Sequence, residues 1–337
     1  MRQRLRKNLV CGAAAVVFSI SSVFAAALPS SLIPVGRAVG IRLHTEGVMV
    51  AEVGAVETAQ GSVCPAAEAG LQAGDVILSV NGETIRSNAE LQQIVALSAG
   101  ETLSMLTKRD GEERMLTVCA AQDLQGQYRL GVMIRDGMSG IGTITYVDPE
   151  TGRYGSLGHG ICDGQSGALI PLGEGDLIDA SVERVQKGEA GEPGALQGRF
   201  DEQDTLGTVE KNTTSGIFGV LGAQDMIEGL SALETVPAEE VRTGPCTILS
   251  NVSGTAVREY KAEITKIFHD GGEFDQCMML RITDDALVNA TGGIVQGMSG
   301  SPIIQDGKLV GAVTHVLVND PCRGYGISIE NMLAAAG

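Results

Sequence analysis

The 337-residue chain is long enough for two domains, each with its own apolar core, and 43% of its residues are hydrophobic. Its formal net charge of -17 excludes a basic nucleic-acid-binding surface and favours work on protein substrates, because an acidic surface repels phosphate groups and anionic lipid headgroups. The 46 glycines indicate turn-rich β structure.

The first 28 residues have the pattern of an export signal. A basic cluster at residues 2–7 precedes an apolar run from Leu9 to Ala27. Small residues at 25–27 offer a cleavage site, and the apolar run is also long enough for an uncleaved membrane anchor over residues 9–28. The sequence therefore predicts export and leaves signal peptide and anchor open.

A small α/β module follows a short linker rich in proline and glycine. Its polar and apolar residues alternate in short runs, which is typical of half-buried strands. The predicted elements are strands at 48–53, 75–80 and 102–108, hairpin turns at Asn81–Gly82 and Asp110–Gly111, and a helix after a capping box formed by Ser87 and Glu90.

The run from Pro65 to Gly82 resembles the PDZ domains found in bacterial proteases, which implies a PDZ domain over residues 36–121. By the same resemblance Gly40, Ile41, Arg42 and Leu43 match the loop that binds a carboxylate. Successive backbone N–H groups there would receive a C-terminal tail while the peptide adds to the sheet edge. The alternative is a PDZ fold that packs on its neighbour and binds no free peptide.

Residues 126–337 form a second, β-rich unit. Short apolar runs are separated by turn clusters such as 148–152, and few stretches have a sustained helical period. This pattern favours a barrel or a sandwich over a parallel sheet. The cysteines are irregularly spaced and lack any C-x-x-C pair, so neither a zinc site nor a disulfide framework is indicated. No metal or cofactor is predicted.

The hexapeptide from Gly297 to Pro302, with Ser299 between glycine-rich neighbours, indicates a nucleophile turn. Nucleophilic serine catalysis needs the hydroxyl on a tight turn, so that two backbone N–H groups converge on the oxyanion. In trypsin-like enzymes those amides belong to the serine and to the glycine two residues before it. The predicted oxyanion hole is therefore formed by Gly297 and Ser299.

His159 is the predicted base, since a serine hydroxyl needs an imidazole to take its proton near neutral pH. It lies between two glycines, well before Ser299. The other histidines fit less well: His44 falls in the PDZ region, His269 stands in a predicted loop, and His315 follows Ser299 too closely for the trypsin-like order.

Taken with the N-terminal segment and the PDZ region, four further stretches make the chain similar to the SpoIVB peptidase family. They are 157–161, 291–304, 311–316 and 318–321. The resemblance implies a mainly β fold: a PDZ domain followed by a trypsin-like double β-barrel. It also implies a serine endopeptidase without cofactor that cleaves a membrane-bound regulator between forespore and mother cell. That cleavage activates a membrane-embedded metalloprotease and sigma factor processing, with self-cleavage and control by the PDZ domain.

The acid that orients the histidine is placed at Asp284 by the same resemblance, which keeps the order His, Asp, Ser. Asp284 stands only 15 residues before Ser299, so Asp285 and Asp163 remain open as rivals.

Two residues in the strand after the nucleophile receive secondary roles. Thr314 lies where trypsin-like enzymes often have a hydroxyl that supports the acid. His315 would project into the specificity pocket and favour a polar side chain such as Gln or Glu at the cleavage site.

Two other classes of function compete with the peptidase. A noncatalytic PDZ adaptor with a decayed protease domain would have lost the serine turn or the histidine, and both are present. A thiol or metal enzyme built on His159, Cys162 and Asp163 would need further ligands or an oxyanion loop around the cysteine.

Overall fold

The computed structural model describes residues 29–164, 167–268 and 277–337. The predicted export segment and His269 lie outside these described residues. Within the described ranges, no helix is long and apolar enough to cross a bilayer.

Twenty-two strands and four α-helices make up the described chain. The strands of the first half are β1 (Ser31–Pro34), β2 (Ala38–Val53), β3 (Val56–Thr58), β4 (Gly61–Val63), β5 (Val76–Val80), β6 (Glu83–Thr84), β7 (Thr102–Arg109), β8 (Glu112–Cys119), β9 (Ala121–Gln122), β10 (Tyr128–Arg129), β11 (Val132–Val147) and β12 (Arg153–Ser156). Those of the second half are β13 (Leu172–Gln186), β14 (Ala195–Thr213), β15 (Gly216–Leu221), β16 (Leu233–Glu234), β17 (Gly244–Ser250), β18 (Arg258–Ile267), β19 (Met278–Ile282), β20 (Pro302–Gln305), β21 (Lys308–Leu317) and β22 (Asp320–Ser328). The helices are α1 (Pro65–Glu68), α2 (Asn88–Leu97), α3 (Asp285–Thr291) and α4 (Ile329–Ala336), with 3₁₀ turns at Gln224–Ile227 and Ala238–Glu240.

Six antiparallel strands form a first barrel in the order β11, β12, β15, β14, β13 and β2, and pairing of β2 with β11 closes the ring. Its interior is filled by fully buried aliphatic side chains, among them Ile41, Leu43, Ile144 and Leu177. Alternate residues of each strand supply this core, as the period of two requires.

A second closed barrel follows in the order β17, β18, β19, β22, β21 and β20. Ile248, Ile264, Leu280, Ile303 and Val313 are buried inside it. The predicted fold is therefore confirmed: the chain is mainly β, with a PDZ domain and a trypsin-like double β-barrel.

The PDZ sheet is built on the far end of β2, where Val48 pairs with Ile77 in β5. The hairpin turn after β5 has φ of 52° at Asn81 and 82° at Gly82, as a turn with two left-handed residues requires. The helix α2 begins where the sequence predicts it, because the Ser87 side chain accepts a hydrogen bond from the amide of Glu90 at 3.2 Å.

The PDZ domain is inserted into the first barrel, which differs from the predicted division into 36–121 and 126–337. Residues 38–45 of β2 pair with β11 on one side and with β13 on the other. The same strand then continues into the PDZ sheet, and β11 returns from it. The peptidase unit thus needs a strand that precedes the PDZ domain in the chain.

The predicted carboxylate-binding loop at Gly40–Leu43 is wrong for the same reason. Gly40 is the register partner of Ile141 in β11 and of Ile178 in β13. These four residues lie inside a barrel strand that has a neighbour on each side. Their backbone groups belong to the ladder, so they form no open loop for a peptide carboxylate.

Candidate active site

Both barrels contribute to a cavity of about 400 Å³ that holds the predicted base and nucleophile together. His159 follows β12 of the first barrel, and Ser299 precedes β20 of the second. The lining also includes Gly297, Thr314, His315, Met138–Ile141, Leu157, Gly160–Cys162, Ile294–Gln296 and Val316.

The nucleophile turn depends on two glycines with left-handed backbone, Gly297 at φ 97° and Gly300 at φ 95°. A Cβ atom on Gly300 would lie 2.0 Å from the carbonyl oxygen of Thr143, so no larger residue fits. Thr143 also holds the turn directly: its hydroxyl donates to the Gly297 carbonyl at 2.8 Å, and its amide donates to the Ser299 carbonyl at 3.0 Å. Strand β11 therefore fixes the shape of the turn.

The amides of Gly297 and Ser299 have no hydrogen-bond acceptor among the described residues, whereas the neighbouring amide of Met298 donates to the Val295 carbonyl at 3.1 Å. A buried N–H group usually has a partner, and one without a protein acceptor is available to a ligand oxygen. The turn thus has the two amides that an oxyanion hole requires, and their catalytic role stays a prediction.

The Ser299 hydroxyl donates a hydrogen bond to the main-chain carbonyl of Thr314 at 2.6 Å. Attack on a substrate carbonyl requires the hydroxyl to leave this acceptor and turn towards the imidazole. Thr314 is buried, and its own hydroxyl has no hydrogen-bond partner in the described part of the chain. The main-chain carbonyl of Thr314 thus contacts the nucleophile, and the predicted support of the triad acid by its hydroxyl stays a prediction.

His159 lies on a tightly wound loop, since Leu157 has φ of 65° and Gly158 has φ of 69°. A left-handed leucine is uncommon and costs free energy that its surroundings must supply. The Nδ1 atom of His159 lies 2.9 Å from the carbonyl oxygen of Gly160. When Nδ1 carries the proton and donates to this carbonyl, Nε2 is left as the acceptor for a serine proton. Burial lowers the pKa of His159, so the ring is neutral at pH 7, as a base must be.

His315 packs beside the predicted base, with a distance of 4.7 Å between the ring centroids and an angle of 36° between the planes. Burial, together with the charge of His159, lowers the pKa of His315 to about 4. His315 lines the catalytic cavity. Its role in substrate specificity stays a prediction.

The structure does not bring Asp284 to this cavity. Its carboxylate caps the helix α3 by accepting from the amides of Ala286 at 3.0 Å and Leu287 at 3.2 Å, and it also accepts from the amide of Lys261 at 3.2 Å. Burial opposes ionisation, but these hydrogen bonds outweigh it and lower the pKa of Asp284. Asp285, the other rival, is the first residue of the same helix and is also absent from the cavity lining.

Asp163 is the carboxylate nearest to His159 in sequence, and its fully buried side chain forms an ion pair with Arg135 at 2.6 Å. No Asp or Glu is among the described residues that line the cavity. The backbone carbonyl of Gly160 thus takes the position next to Nδ1 that a carboxylate has in a Ser-His-Asp triad.

Cys162 also faces the cavity, as the alternative thiol chemistry would need. Burial raises its pKa, which disfavours the thiolate that such chemistry requires. Within the described ranges, no cluster of three His, Cys, Asp or Glu residues could hold a metal ion.

A second cavity, of about 1110 Å³, lies between α2 and the strand that enters the first barrel. Leu91 and Val95 of the helix face Leu130, Val132 and Ile134 across it. The start of β11 pairs with β2 on one side only, so its other edge opens towards α2. A peptide strand could add there, and we call this cavity the peptide groove. Sequence reasoning missed this cavity. Gly131, which stands between the apolar residues Leu130 and Val132, was a signal for a turn before β11.

The fold consists of two antiparallel six-stranded barrels and an inserted PDZ domain. Because the barrels place a serine turn and a histidine at one cavity, the protein is a PDZ-containing serine peptidase of trypsin-like fold. The chain belongs to the SpoIVB peptidase S55 family, whose profile matches residues 126–333. A PDZ-domain profile matches residues 59–109.

The chain is also similar to individual proteins over parts of its length. It is 36% identical over 125 residues to a protein from Pseudomonas fluorescens described as "Probable periplasmic serine endoprotease DegP-like", which covers 34% of this chain and 26% of that protein. The chain thus spans about a quarter of the length of this curated relative.

Among solved structures, the active form of a protease from M. tuberculosis matches with a TM-score of 0.32 and 15% identity, over 60% of this chain and 73% of that one. The PDZ domain of an SdrC-like protein from Listeria monocytogenes matches with a TM-score of 0.23 and 25% identity, over 27% of this chain and 90% of that one.

Proposed function

We propose that this member of the SpoIVB peptidase S55 family is an exported serine endopeptidase of sporulation signalling. It acts at the outer face of the forespore membrane and cleaves a membrane-bound regulatory protein that restrains a membrane-embedded metalloprotease. This cleavage starts processing of a sigma factor. The observation that carries the proposal is the shared cavity of His159 and Ser299, with the amides of Gly297 and Ser299 beside it.

In the proposed reaction, the substrate carbonyl oxygen lies against the amides of Gly297 and Ser299. The Ser299 hydroxyl leaves the Thr314 carbonyl, transfers its proton to Nε2 of His159 and forms a bond to the carbonyl carbon. The imidazolium then returns the proton to the leaving amine. Water repeats the sequence on the acyl-enzyme, and the Gly160 carbonyl keeps the ring oriented throughout.

The PDZ domain binds a peptide or a C-terminal tail, which we place in the peptide groove. Its apolar walls, with Leu91 and Val95 opposite Val132 and Ile134, suit apolar side chains of an added strand. In this proposal the N-terminal segment of the chain is a signal peptide or a membrane anchor, and self-cleavage near it releases the enzyme. The family resemblance supports these parts of the proposal.

Labelling and cleavage by the full chain test the proposal together. Purified wild type and Ser299→Ala are treated with a serine-directed fluorophosphonate and are then incubated with the regulator in vesicles. Ser301→Ala is the matched control, because this buried hydroxyl lies on the same turn and has no hydrogen-bond partner in the described part of the chain. We expect wild type and Ser301→Ala to label and to cleave, and Ser299→Ala to do neither.

Two results would contradict the proposal in different ways. Labelling that persists in Ser299→Ala would remove this serine as the nucleophile. A wild type that neither labels nor cleaves, yet still binds peptide in the groove, would favour a noncatalytic PDZ adaptor.

A further inference from the structure

Strand β11 connects the peptide groove to the catalytic cavity with only three residues between them. Val132 and Ile134 line the groove, and residues 138–141 line the cavity. Further along, Thr143 of the same strand holds the nucleophile turn. A shift of β11 would therefore change both the shape of the groove and the position of the nucleophile turn.

The connecting residues themselves bind in two directions. The carboxylate of Asp136 accepts from the amide of Asn88 at the start of α2, at 3.0 Å. Next to it, Nε of Arg135 lies 2.6 Å from Oδ2 of Asp163, on the loop that carries His159. One short segment is thus joined to the PDZ helix on one side and to the catalytic loop on the other.

Asp163 is well placed to hold that loop. Its amide donates to the Ala168 carbonyl and its carbonyl accepts from the Gly167 amide, both at 2.8 Å, which closes a turn four residues after His159. The carboxylate is fully buried, whereas 37% of the Arg135 side chain is exposed. A buried carboxylate that loses a paired cation tends to move or to take up a proton, so Arg135 helps to determine where Asp163 lies.

The opposite side of the loop is held independently. Asn212 of β14 accepts from the amide of Ile161 at 2.9 Å and donates to the carbonyls of Ile161 and Ile170. Before His159, the amide of Leu157 also donates to the Thr143 carbonyl of β11 at 3.2 Å. After His159, the Arg135–Asp163 ion pair joins the described part of the loop to β11.

We propose that Arg135 and Asp163 are positioning residues for the peptidase reaction: their ion pair places the His159 loop against β11 and so aligns the imidazole with Ser299. This inference rests on the proposed function of His159 and Ser299. Neither side chain touches the reacting atoms, and their effect is on the alignment of the base.

The test measures how fast, and how completely, the full chain reacts with the fluorophosphonate. Arg135→Gln, Asp163→Asn and the double variant are compared with wild type over a range of probe concentrations. We expect the maximal labelling rate of either single variant to fall roughly 10- to 100-fold, as for a misaligned catalytic group, with an unchanged half-saturating concentration. The double variant falls no further, because both changes remove one ion pair. Arg135→Lys recovers part of the rate.

A second ion pair in the same barrel supplies the matched control. Arg42 and Asp176 lie 2.8 Å apart across β2 and β13, are half-buried, and are both absent from the lining of the catalytic cavity. Arg42→Gln and Asp176→Asn are expected to keep the wild-type rate per labelled site.

The final extent of labelling separates positioning from a purely structural role. Misfolding lowers the fraction of sites that label, while misalignment lowers the rate at which every site labels. Wild-type rates in Arg135→Gln and Asp163→Asn, or an equal loss in the control pair, would overturn the inference. The proposed function fails separately, if wild type does not label or if Ser299→Ala does.

Discussion

The rings of His159 and His315 lie 4.7 Å apart between centroids and share the catalytic cavity. Two imidazoles this close cannot both be protonated at low cost, since like charges repel. Burial lowers the pKa of each, for His315 to about 4. The cavity therefore holds two neutral rings at pH 7.

The pH dependence of the reaction follows from the direction of these shifts. The base acts only when it is neutral, and its pKa lies below the ordinary value of 6.5 because of burial. The labelling rate should fall on the acid side, with the midpoint of the decline below pH 6.5. Fluorophosphonate labelling between pH 4 and 8 measures this limb.

A variant of the neighbouring ring checks the cause of that shift. His315→Gln opens part of the cavity to water and relieves the desolvation of His159, so the acid limb should move to higher pH. His44→Gln is the control, because this exposed histidine lies elsewhere on β2. An acid limb above pH 6.5 in the wild type, or one that His315→Gln leaves in place, would contradict the role of burial.

The carboxylate of Asp284 caps α3, which predicts a loss of stability rather than of chemistry on substitution. Asp284→Ala should lower the free energy of unfolding by about 1 kcal/mol, while Asp284→Asn keeps the cap and should be close to wild type. Denaturant unfolding measures the stability of both variants. The rate of labelling per folded site measures whether either change affects the chemistry.

The Asn variant is decisive for the acid of the triad. In a Ser-His-Asp triad, an Asp-to-Asn change that preserves geometry lowers the rate by roughly 10⁴-fold. A loss of that size in Asp284→Asn, with unchanged stability, would show that the active enzyme brings this carboxylate to His159. Asp285→Asn, one residue further along, is the matched control.

Local signals in the sequence predicted much of this structure. The Asn81–Gly82 turn, the Ser87 cap and the glycine turn around Ser299 each depend on neighbouring residues only, so a short window suffices. The cavity shared by His159 and Ser299 also agrees with expectation, because few histidines competed for that role.

Features that depend on distant parts of the chain were missed. Gly40–Leu43 stands just before the PDZ motif in sequence, yet it completes the barrel through partners that lie far along the chain, at Met138–Ile141 in β11 and Gly175–Ile178 in β13. The pattern of a strand is the same whichever sheet it joins. The sequence around Asp284 allowed two interpretations, a triad acid or the N-cap of a short helix that ends before Gly292. The structure shows the helix cap.

Thr143 should matter to the rate through the nucleophile turn. Thr143→Val keeps the shape of the side chain but leaves the buried Gly297 carbonyl without its 2.8 Å donor, a cost of roughly 1–3 kcal/mol. The Gly297 carbonyl then no longer has a fixed direction, so the φ and ψ angles of Gly297, which set the direction of its own amide, are less restrained. We expect labelling to slow by roughly tenfold or more.

Thr145→Val provides the comparison for that prediction. The hydroxyl of Thr145 donates to the Gly300 carbonyl at 2.8 Å, on the same turn but beyond the nucleophile. Thr145→Val should lower the stability by a similar amount but should slow labelling much less. If the two variants slow labelling equally, Thr143 does not act by keeping the oxyanion amides in position.

The insertion of the PDZ domain predicts which deletions the peptidase tolerates. Removing residues 36–121 takes away β2, the strand that lies between β11 and β13, so the first barrel should not close. Val50 and Ile134 are register partners in adjacent antiparallel strands. Replacing residues 51–133 by Asn-Gly should therefore join β2 to β11 as a hairpin and keep Arg135 in place.

Both deletions can be compared in one experiment, with Val48 and Val50 changed to Thr in the hairpin version because these side chains lose the PDZ core. We expect the hairpin version to unfold cooperatively and to label at Ser299, while the version without residues 36–121 aggregates or fails to label. The reason is that the barrel depends on residues 38–45 of β2, and the PDZ sheet depends on the part beyond them. Efficient labelling after deletion of 36–121 would mean that another segment can close the barrel in place of β2.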